Sequence, residues 1–226
     1  MKILTVIPTY NNETTISQVA QKALKNGIDV LVINDGSTDK TSDELSKISG
    51  INIISIPENY GKGNALREAF KWAIKNGYTH LISIDADGQH DPAEIPKFIK
   101  QMEENENCII IGTRDFCSAK VPLASRLGRK YSNLAFRLVT GISLTDTQSG
   151  FRLYPLKKLS PLISNKDRYD FEMDVLLNAV ITGFQVREIK ISVHYSKKTG
   201  KTSSFKPFLD SIRIAKIFLF ALFKKA

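Results

Sequence analysis

Short apolar runs alternate along the first half of the chain with segments whose apolar residues recur at helical spacing. The runs KILTVIP, DVLVIN, INIISI, HLISID and CIIIG are rich in Ile and Val, which is typical of buried strands. Several of the segments between them, such as GNALREAFKWAIKNG, end in Gly or Asn, as helices often do. This alternation predicts an α/β fold with a Rossmann-like, mostly parallel sheet that is covered by helices on both faces.

The pattern changes after the sequence GTRD. A long basic helix is indicated by LASRLGRKYSNLAFRLVTG, a turn and short strand by DTQSGFRLYP, a helix by YDFEMDVLLNAVITG and a strand by FQVREIKISVHY. The chain ends in an amphipathic helical pattern, which is typical of a membrane-interface helix or of a helix packed on the core or on a second copy. We expect one catalytic domain over residues 1–204 and an amphipathic membrane-interface helix over residues 205–226.

The charge of the chain favours anionic partners. Its 226 residues include 32 Lys and Arg against 23 Asp and Glu, a formal net charge of +9. Nucleic acid, phosphate-bearing ligands and an acidic membrane surface all suit such a balance. The sequence contains no nucleic-acid reader motif and no basic patch interleaved with aromatic residues, so we expect no nucleic-acid partner.

The cysteines and the N-terminus bear on location. Cys108 and Cys117 form no CxxC pair, which favours a reduced, cytoplasmic setting. The first apolar run stops at Pro8 and is too short for a signal peptide. No run reaches the roughly 18 apolar residues that a membrane span needs. We therefore expect a cytoplasmic protein.

Two like charges stand together in LISIDADGQHDP, directly after an apolar run. Asp85 and Asp87 would each disfavour the ionisation of the other, and burying them is costly without a partner. With the amide oxygen of Gln89 they form a set of hard oxygen donors of the kind that Mg²⁺ and Mn²⁺ prefer. An ordinary polar turn is the alternative.

Other polar turns follow predicted strands. VINDGSTDKT carries Asp35, which could accept from the N–H of a nucleobase, and Ser37, which could instead cap the next helix. NYGKGNA carries Gly61 and Lys62 before a helix, a common environment for phosphate. The carboxyl ends of parallel strands are where ligands bind in such sheets.

Taken in order, these segments resemble a known family. VIPTYNNETTI, VINDGSTD, NYGKGNALREAF, ISIDADGQHDP, GTRD and DTQSGFRLY occur as in inverting family 2 glycosyltransferases of the GT-A fold. The forms DADGQHDP and SGFR resemble the branch of dolichol-phosphate mannose synthases and polyprenyl-phosphate glycosyltransferases. The resemblance covers residues 2 to about 204 and implies a GT-A catalytic domain.

The resemblance also implies roles for individual residues. Asp85, Asp87 and Gln89 would hold Mg²⁺ or Mn²⁺ at the donor diphosphate, with Asp87 also counted as catalytic. The nucleotide-sugar pocket would be lined by Pro8, Tyr10, Glu13, Asp35, Ser37, Gly61, Lys62 and Asp85. The acceptor phosphate would be faced by Arg114, Arg126, Arg129, Arg152, Lys197 and Lys201.

The reaction expected from this resemblance moves a hexose from GDP-mannose or UDP-glucose to a polyprenyl or dolichyl phosphate. A glycan or protein hydroxyl is the alternative acceptor; it would need a general base, for which Asp146 is the candidate. A lipid phosphate is already ionised, so the base would matter less and Arg114, which is expected to be catalytic, would matter more together with Arg126 and Arg129. We expect the protein to sit peripherally on the cytoplasmic face of a membrane, with a separate membrane subunit as a further possible partner.

Two departures from the family pattern are visible. Asn12 stands before Glu13 where the first motif usually runs Pro-x-Tyr-Asn-Glu, which leaves the role of Glu13 open. In the late basic loop, Lys197 and Lys201 stand in a segment that usually carries an arginine. Lysine can hold a phosphate as a point charge but lacks the arginine fork.

Overall fold

The computed structural model describes residues 1–114, 123–193, 213–219 and 221. The strands are Ile3–Thr9 (β1), Asp29–Asp35 (β2), Ile51–Ile56 (β3), His80–Ser83 (β4), Ile109–Arg114 (β5), Arg152–Pro155 (β6) and Val186–Ile191 (β7). The helices are Ile16–Leu24 (α1), Thr41–Ser46 (α2), Lys62–Lys75 (α3), Ile95–Glu104 (α4), Leu123–Thr140 (α5), Leu156–Leu159 (α6) and Asp170–Ile181 (α7). Short 3₁₀ turns cover Pro92–Glu94 and Ser160–Leu162.

The described strands form one sheet in the order β3-β2-β1-β4-β6-β5-β7. Neighbouring strands run parallel except that β6 is antiparallel to both β4 and β5. The mostly parallel α/β sheet predicted from the sequence is therefore confirmed. Because β2, β1 and β4 are adjacent and parallel, the polar turns that follow them meet at one edge of the sheet, where ligands bind in this class of fold.

Each face of the sheet packs against its own set of helices. Alternate residues of a strand point to opposite faces, so Val6 faces one core and Ile7 the other. The first core joins α3, α5 and α7, and the second joins α1, α2 and α4. Such burial of apolar surface contributes about 25 cal/mol per Å² and is the main stabilising term of the domain.

The strand β3 differs from its prediction as a buried strand. It lies at the edge of the sheet, pairs only with β2 among the described strands, and leaves Ile53 42% exposed. The helix before it, α2, has only six residues. An Ile-rich run cannot show by itself whether its strand will be central or peripheral, because both positions favour β-branched residues.

The described part of the C-terminal segment is a helix over residues 213–219, which agrees with the predicted helix. It buries Ile214, Ile217 and Phe218 in the core that also holds Phe136 and Val139 of α5. This spacing favours the alternative in which the helix packs on the domain, because the buried face cannot also enter a membrane interface. Residues 205–212 lie outside the described residues.

Over the described ranges of the chain, no helix is both long and apolar enough to cross a bilayer.

Candidate active site

The turn after β4 carries the two carboxylates that stand out in the sequence. Asp87 Oδ1 accepts a hydrogen bond from the Gln89 N–H at 2.9 Å, which closes the turn. Gly88 lies inside it at φ +73°, in the left-handed region that favours glycine. Both carboxylates stay partly exposed, and the Asp85 side chain keeps 29% of its surface. The pair is thus held in place while remaining open to a ligand.

Lys62 supplies the positive charge beside this pair. It is the first residue of α3, and its Nζ lies 2.5 Å from Asp85 Oδ1 and 2.8 Å from Glu172 Oε2. The side chains of Lys62 and Glu172 are 12% and 7% exposed. Glu172 comes from the first turn of α7 and had no role in the sequence interpretation. The structure therefore adds a buried acid to the site.

The charges of this cluster shift one another's pKa values. Burial raises the pKa of Asp87, and the neighbouring Asp85 charge raises it further, to about 6. Burial also opposes ionisation of Asp85, but Lys62 outweighs it and lowers the pKa of Asp85. Burial alone would lower the pKa of Lys62, yet Asp85 and Glu172 together raise it. The two carboxylates of the acidic turn therefore repel each other where burial disfavours their ionisation. Their electrostatic field attracts a cation.

Gly150 of the SGFR segment closes one side of the cluster. A Cβ added there would collide with Asp85 Oδ2 and lie 2.6 Å from Lys62 Nζ. Ser83 Oγ donates to the Gly150 carbonyl at 2.9 Å and fixes the close approach of the two segments. Any larger residue at this position would displace the carboxylate or the ammonium, so the need for glycine here is steric.

The donor chemistry of the acidic turn fits a divalent cation. Two carboxylates and the Gln89 amide offer hard oxygen donors on one turn. Among the described residues, no three His, Cys, Asp or Glu side chains cluster so that they alone could hold a metal ion. A cation at this turn would therefore depend on Gln89 or on ligand oxygens to complete its coordination.

Arg114 and Asp146 form a second polar centre, at the end of β5. Arg114 Nε donates to Asp146 Oδ2 at 2.6 Å and Nη2 donates to Oδ1 at 2.8 Å, while Asp146 is fully buried. Glu188 of β7 holds the turn, because its Oε1 accepts from the Thr145 and Asp146 N–H groups. Asp146 thus orients Arg114, which differs from the expectation of a free general base.

Arg152 is placed differently from the expectation that it faces a phosphate. Its side chain is 1% exposed, and its guanidinium donates to the carbonyl oxygens of Ser149, Glu172 and Thr147 at 2.6–2.8 Å. These bonds tie β6 and the preceding turn to α7. This correction follows from burial: an arginine with 1% of its surface exposed, held by three backbone carbonyls, does not face a ligand.

Two further arginines of the acceptor set lie on α5. Arg126 is exposed, and Arg129 is partly buried. Lys197 and Lys201 lie outside the described residues.

The turn after β1 binds the start of α2. Glu13 is exposed, its Oε2 accepts from the Lys40 N–H at 2.9 Å, and its own N–H donates to Asp39 Oδ2. Asn12 is buried and donates to Thr9 Oγ1 and the Tyr10 carbonyl. The side chain of Asn12 therefore stabilises the turn, while the Glu13 carboxylate binds the N–H of Lys40 at the start of α2.

The turn after β2 completes this edge of the sheet. Asp35 is 3% exposed and accepts from the N–H groups of Tyr60 and Gly61, at 3.2 and 2.7 Å. Burial raises the pKa of Asp35, against the effect of these two bonds. Ser37 Oγ accepts from the Asn11 N–H. Asp35 and Ser37 therefore connect the turns after β1, β2 and β3 through hydrogen bonds.

Pro8 and Tyr10 stand at the carboxyl end of β1, next to these turns. Pro8 is buried and pairs in register with Ile33 of β2, while Tyr10 keeps part of its surface. The residues predicted to line the nucleotide pocket therefore all lie at one edge of the sheet. Several of them are already hydrogen-bonded to backbone groups.

The fold and this site define the chain as a glycosyltransferase. The model of the family described as "Glycosyl transferase family 2" matches residues 5–162, and the chain belongs to this family. The solved structure of mannosyl-3-phosphoglycerate synthase from Rubrobacter xylanophilus is similar over 100% of this chain and 75% of its own, with a TM-score of 0.74 and 15% identity. That likeness concerns the fold, which is GT-A as expected.

Two relatives are named for transfer to a lipid phosphate. The undecaprenyl-phosphate mannosyltransferase of Micrococcus luteus is 27% identical over 85% of this chain and 83% of its own length. The UDP-N-acetylglucosamine–dolichyl-phosphate N-acetylglucosaminyltransferase of Methanococcus voltae is 29% identical over 86% of each chain. The predicted resemblance to this branch is confirmed. Glycosyltransferases of this family and fold generally use a divalent cation.

Proposed function

We propose that the protein transfers a hexose from a nucleotide sugar to a polyprenyl or dolichyl phosphate, with inversion at the anomeric carbon. The pairing of Asp146 with Arg114 carries the proposal. A hydroxyl acceptor needs a base to remove its proton, whereas a phosphate acceptor is already ionised. Asp146, the candidate for that task, is fully buried and paired with Arg114, which favours the phosphate. The names of the two relatives point to the same acceptor class.

The donor would bind at the edge formed by the turns after β1, β2 and β4. Asp85, Asp87 and Gln89 are the residues that would hold Mg²⁺ or Mn²⁺, whose chemistry is to neutralise charge on the leaving diphosphate. Asp35 accepts from the Tyr60 and Gly61 N–H groups and so holds the start of α3 against the end of β2. GDP-mannose is our first donor and UDP-glucose our second.

The acceptor phosphate would meet Arg114, whose guanidinium plane Asp146 fixes through two hydrogen bonds. Arginine suits a phosphate because its fork can donate to two oxygens at once. Arg126 and Arg129 at the start of α5 would add charge to the same region, as would Lys197 and Lys201.

A membrane surface is the natural setting for such an acceptor, and α5 offers a matching face. Tyr131, Leu134 and Leu138 are 80%, 55% and 73% exposed and recur at helical spacing. The helix carries four basic residues and no acid, and of these Arg126, Lys130 and Arg137 are exposed. An apolar stripe flanked by cations suits the interface of an anionic membrane. We place the protein peripherally on the cytoplasmic face, with a membrane subunit as a possible partner.

A transfer assay tests the proposal. The protein is incubated with Mg²⁺ or Mn²⁺ and one radiolabelled donor at a time: GDP-mannose, UDP-glucose or UDP-N-acetylglucosamine. Each donor is supplied with and without a short-chain polyprenyl phosphate, and label that moves into organic solvent is counted. We expect extraction with one donor, and only with the lipid phosphate present.

The same assay identifies the alternative acceptor. Metal-dependent release of sugar from a donor, with no label in organic solvent, would overturn the lipid acceptor and favour a glycan or protein hydroxyl. The Asp87→Ala variant is the negative control for the donor site, because it removes one of the two carboxylates of the acidic turn.

A further inference from the structure

Glu172 lies beside Lys62 and is not among the site residues expected from the sequence. It is 6% exposed and contacts Lys62 through Oε2, while Oε1 accepts no hydrogen bond in the described part of the chain. An oxygen of this kind is costly to bury unless it has a use. It therefore gives Glu172 spare capacity to accept a second N–H from the same ammonium group.

The cluster has the charge balance of a site for a divalent ion. When ionised, Asp85, Asp87 and Glu172 carry three negative charges and Lys62 carries one positive charge, which leaves two negative charges in excess. Lys62 already occupies Asp85 Oδ1, one of the oxygens that a cation at this turn would use. A metal ion bound through this oxygen would therefore compete with the ammonium of Lys62.

Whether a metal ion can displace the ammonium from Asp85 depends on which other partner Lys62 then has. Its side chain is 12% exposed, and a buried ammonium that loses its partner costs several kcal/mol. With Asp85 as its only partner, Lys62 could not release the carboxylate without being left unpaired. Glu172 provides a second carboxylate, whose Oε2 lies 2.8 Å from Lys62 Nζ. Lys62 can therefore lose its contact with Asp85 at a smaller cost in free energy.

We propose that Glu172 is a positioning residue that keeps Lys62 paired when Asp85 binds a divalent cation. In the metal-free site, the ammonium of Lys62 is a placeholder for the positive charge of that cation beside Asp85. This inference rests on the proposed metal role of Asp85 and Asp87. Gly150 supports it, because the absence of a Cβ leaves the space in which Lys62 Nζ and Asp85 Oδ2 lie together.

The test measures Mn²⁺ binding to the full chain without donor or acceptor, by electron paramagnetic resonance of free Mn²⁺. Glu172→Gln keeps the shape but removes the charge that retains Lys62, so Mn²⁺ affinity should fall about tenfold. Lys62→Met removes the competing ammonium, so affinity should rise about tenfold. A structural role for either residue would predict losses in both variants instead of opposite signs.

Two further variants complete the experiment. In Lys62→Met/Glu172→Gln the loss caused by Glu172→Gln should be at least about threefold smaller, because Glu172 acts through Lys62. Glu68→Gln, which breaks the Glu68–Lys71 pair on the outer face of α3, is the matched control and should leave Mn²⁺ affinity unchanged.

The outcomes separate this inference from the function on which it rests. Equal Mn²⁺ affinity in the unchanged protein and in Glu172→Gln would overturn the role of Glu172 alone. A decrease in Lys62→Met would do the same for the placeholder role. No Mn²⁺ binding by the unchanged protein would overturn both the inference and the proposed metal site.

Discussion

Arg114 and Asp146 bind each other through two parallel hydrogen bonds, Nε to Oδ2 at 2.6 Å and Nη2 to Oδ1 at 2.8 Å. Asp146 has no exposed surface and Arg114 keeps 17% of its side chain exposed. The carboxylate therefore faces inward, and the arginine lies between it and solvent. This arrangement makes Asp146 the support and Arg114 the group that a ligand would meet.

Replacing Asp146 with alanine should destabilise the fold. Loss of one partner of a buried ion pair leaves the other charge unpaired, so the free energy of unfolding should fall by about 3 kcal/mol. Urea unfolding followed by circular dichroism measures this, with the exposed Glu103→Gln as control. A change below about 1 kcal/mol would contradict the pairing seen here.

Arg114→Lys tests whether Arg114 acts on the acceptor and not on the donor. Lysine keeps the charge but lacks the fork, so kcat/KM for polyprenyl phosphate should fall at least about tenfold while the KM for the nucleotide sugar stays the same. Steady-state transfer assays with each substrate varied in turn check this. An equal rise in the donor KM would place Arg114 at the donor instead of the acceptor.

Arg152→Lys should act on stability and not on acceptor binding. The buried guanidinium donates to three carbonyl oxygens, and a lysine cannot reach all three. We expect a loss of about 2–4 kcal/mol in the free energy of unfolding, measured in urea. Unchanged stability with a raised KM for the acceptor would restore the phosphate role first expected for this residue.

Gly150→Ala tests the packing against the acidic turn. The added methyl would collide with the Asp85 carboxylate, so Mn²⁺ affinity and transfer should both fall at least about tenfold as that carboxylate moves. Gly128→Ala is the control: it lies in α5 with open space around it and should stabilise the helix by about 0.5–1 kcal/mol. Full activity in Gly150→Ala would show that Asp85 can shift without consequence.

The arrangement of the polar turns at this edge of the sheet was predictable from the sequence because it depends on local patterns. Apolar runs fix the strands, parallel pairing brings their carboxyl ends together, and the turn residues after β1, β2 and β4 must then meet. The location of Asp85, Asp87 and Asp35 at this edge was predicted in this way. Proximity, however, does not determine hydrogen-bond partners, so the capping role of Glu13 could not be predicted.

The contacts between distant segments were beyond the sequence for a different reason. Lys62 and Glu172 come from the first turns of α3 and α7, and nothing in either helical pattern indicates that these turns face each other. Arg152 stands in a motif whose resemblance implies a ligand contact, while its burial depends on the packing of β6 against α7. Long-range pairing of charged groups is set by the assembled fold.

Tyr78 should make the stability of the protein depend on pH in the alkaline range. Its hydroxyl donates to Asp29 Oδ2 at 2.7 Å, and burial followed by the Asp29 charge raises its pKa to about 12. The folded state therefore keeps a proton that the unfolded chain loses near pH 10. Stability from this bond is fully present below pH 10 and is lost as the pH rises towards 12.

Tyr78→Phe should remove that dependence and lower the free energy of unfolding at pH 8 by about 1 kcal/mol. Trp72, the single tryptophan of the chain, stacks on Tyr78 with ring centroids 5.7 Å apart and reports unfolding by fluorescence. The exposed Tyr131→Phe is the control and should leave the pH profile unchanged. An equal alkaline loss in Tyr78→Phe would assign it to another group.

The apolar stripe of α5 should carry membrane binding, in preference to the C-terminal helix whose described apolar side chains are mostly buried. Replacing Leu134 and Leu138 together with serine removes apolar groups that would enter the interface, each buried methylene contributing about 0.8 kcal/mol. Sedimentation with anionic liposomes should weaken at least about tenfold. Ile181→Ser, which alters an exposed apolar residue of α7, is the matched control. If Leu134→Ser/Leu138→Ser pellets as well as the unchanged protein while Leu219→Ser does not, the membrane contact belongs to the C-terminal helix.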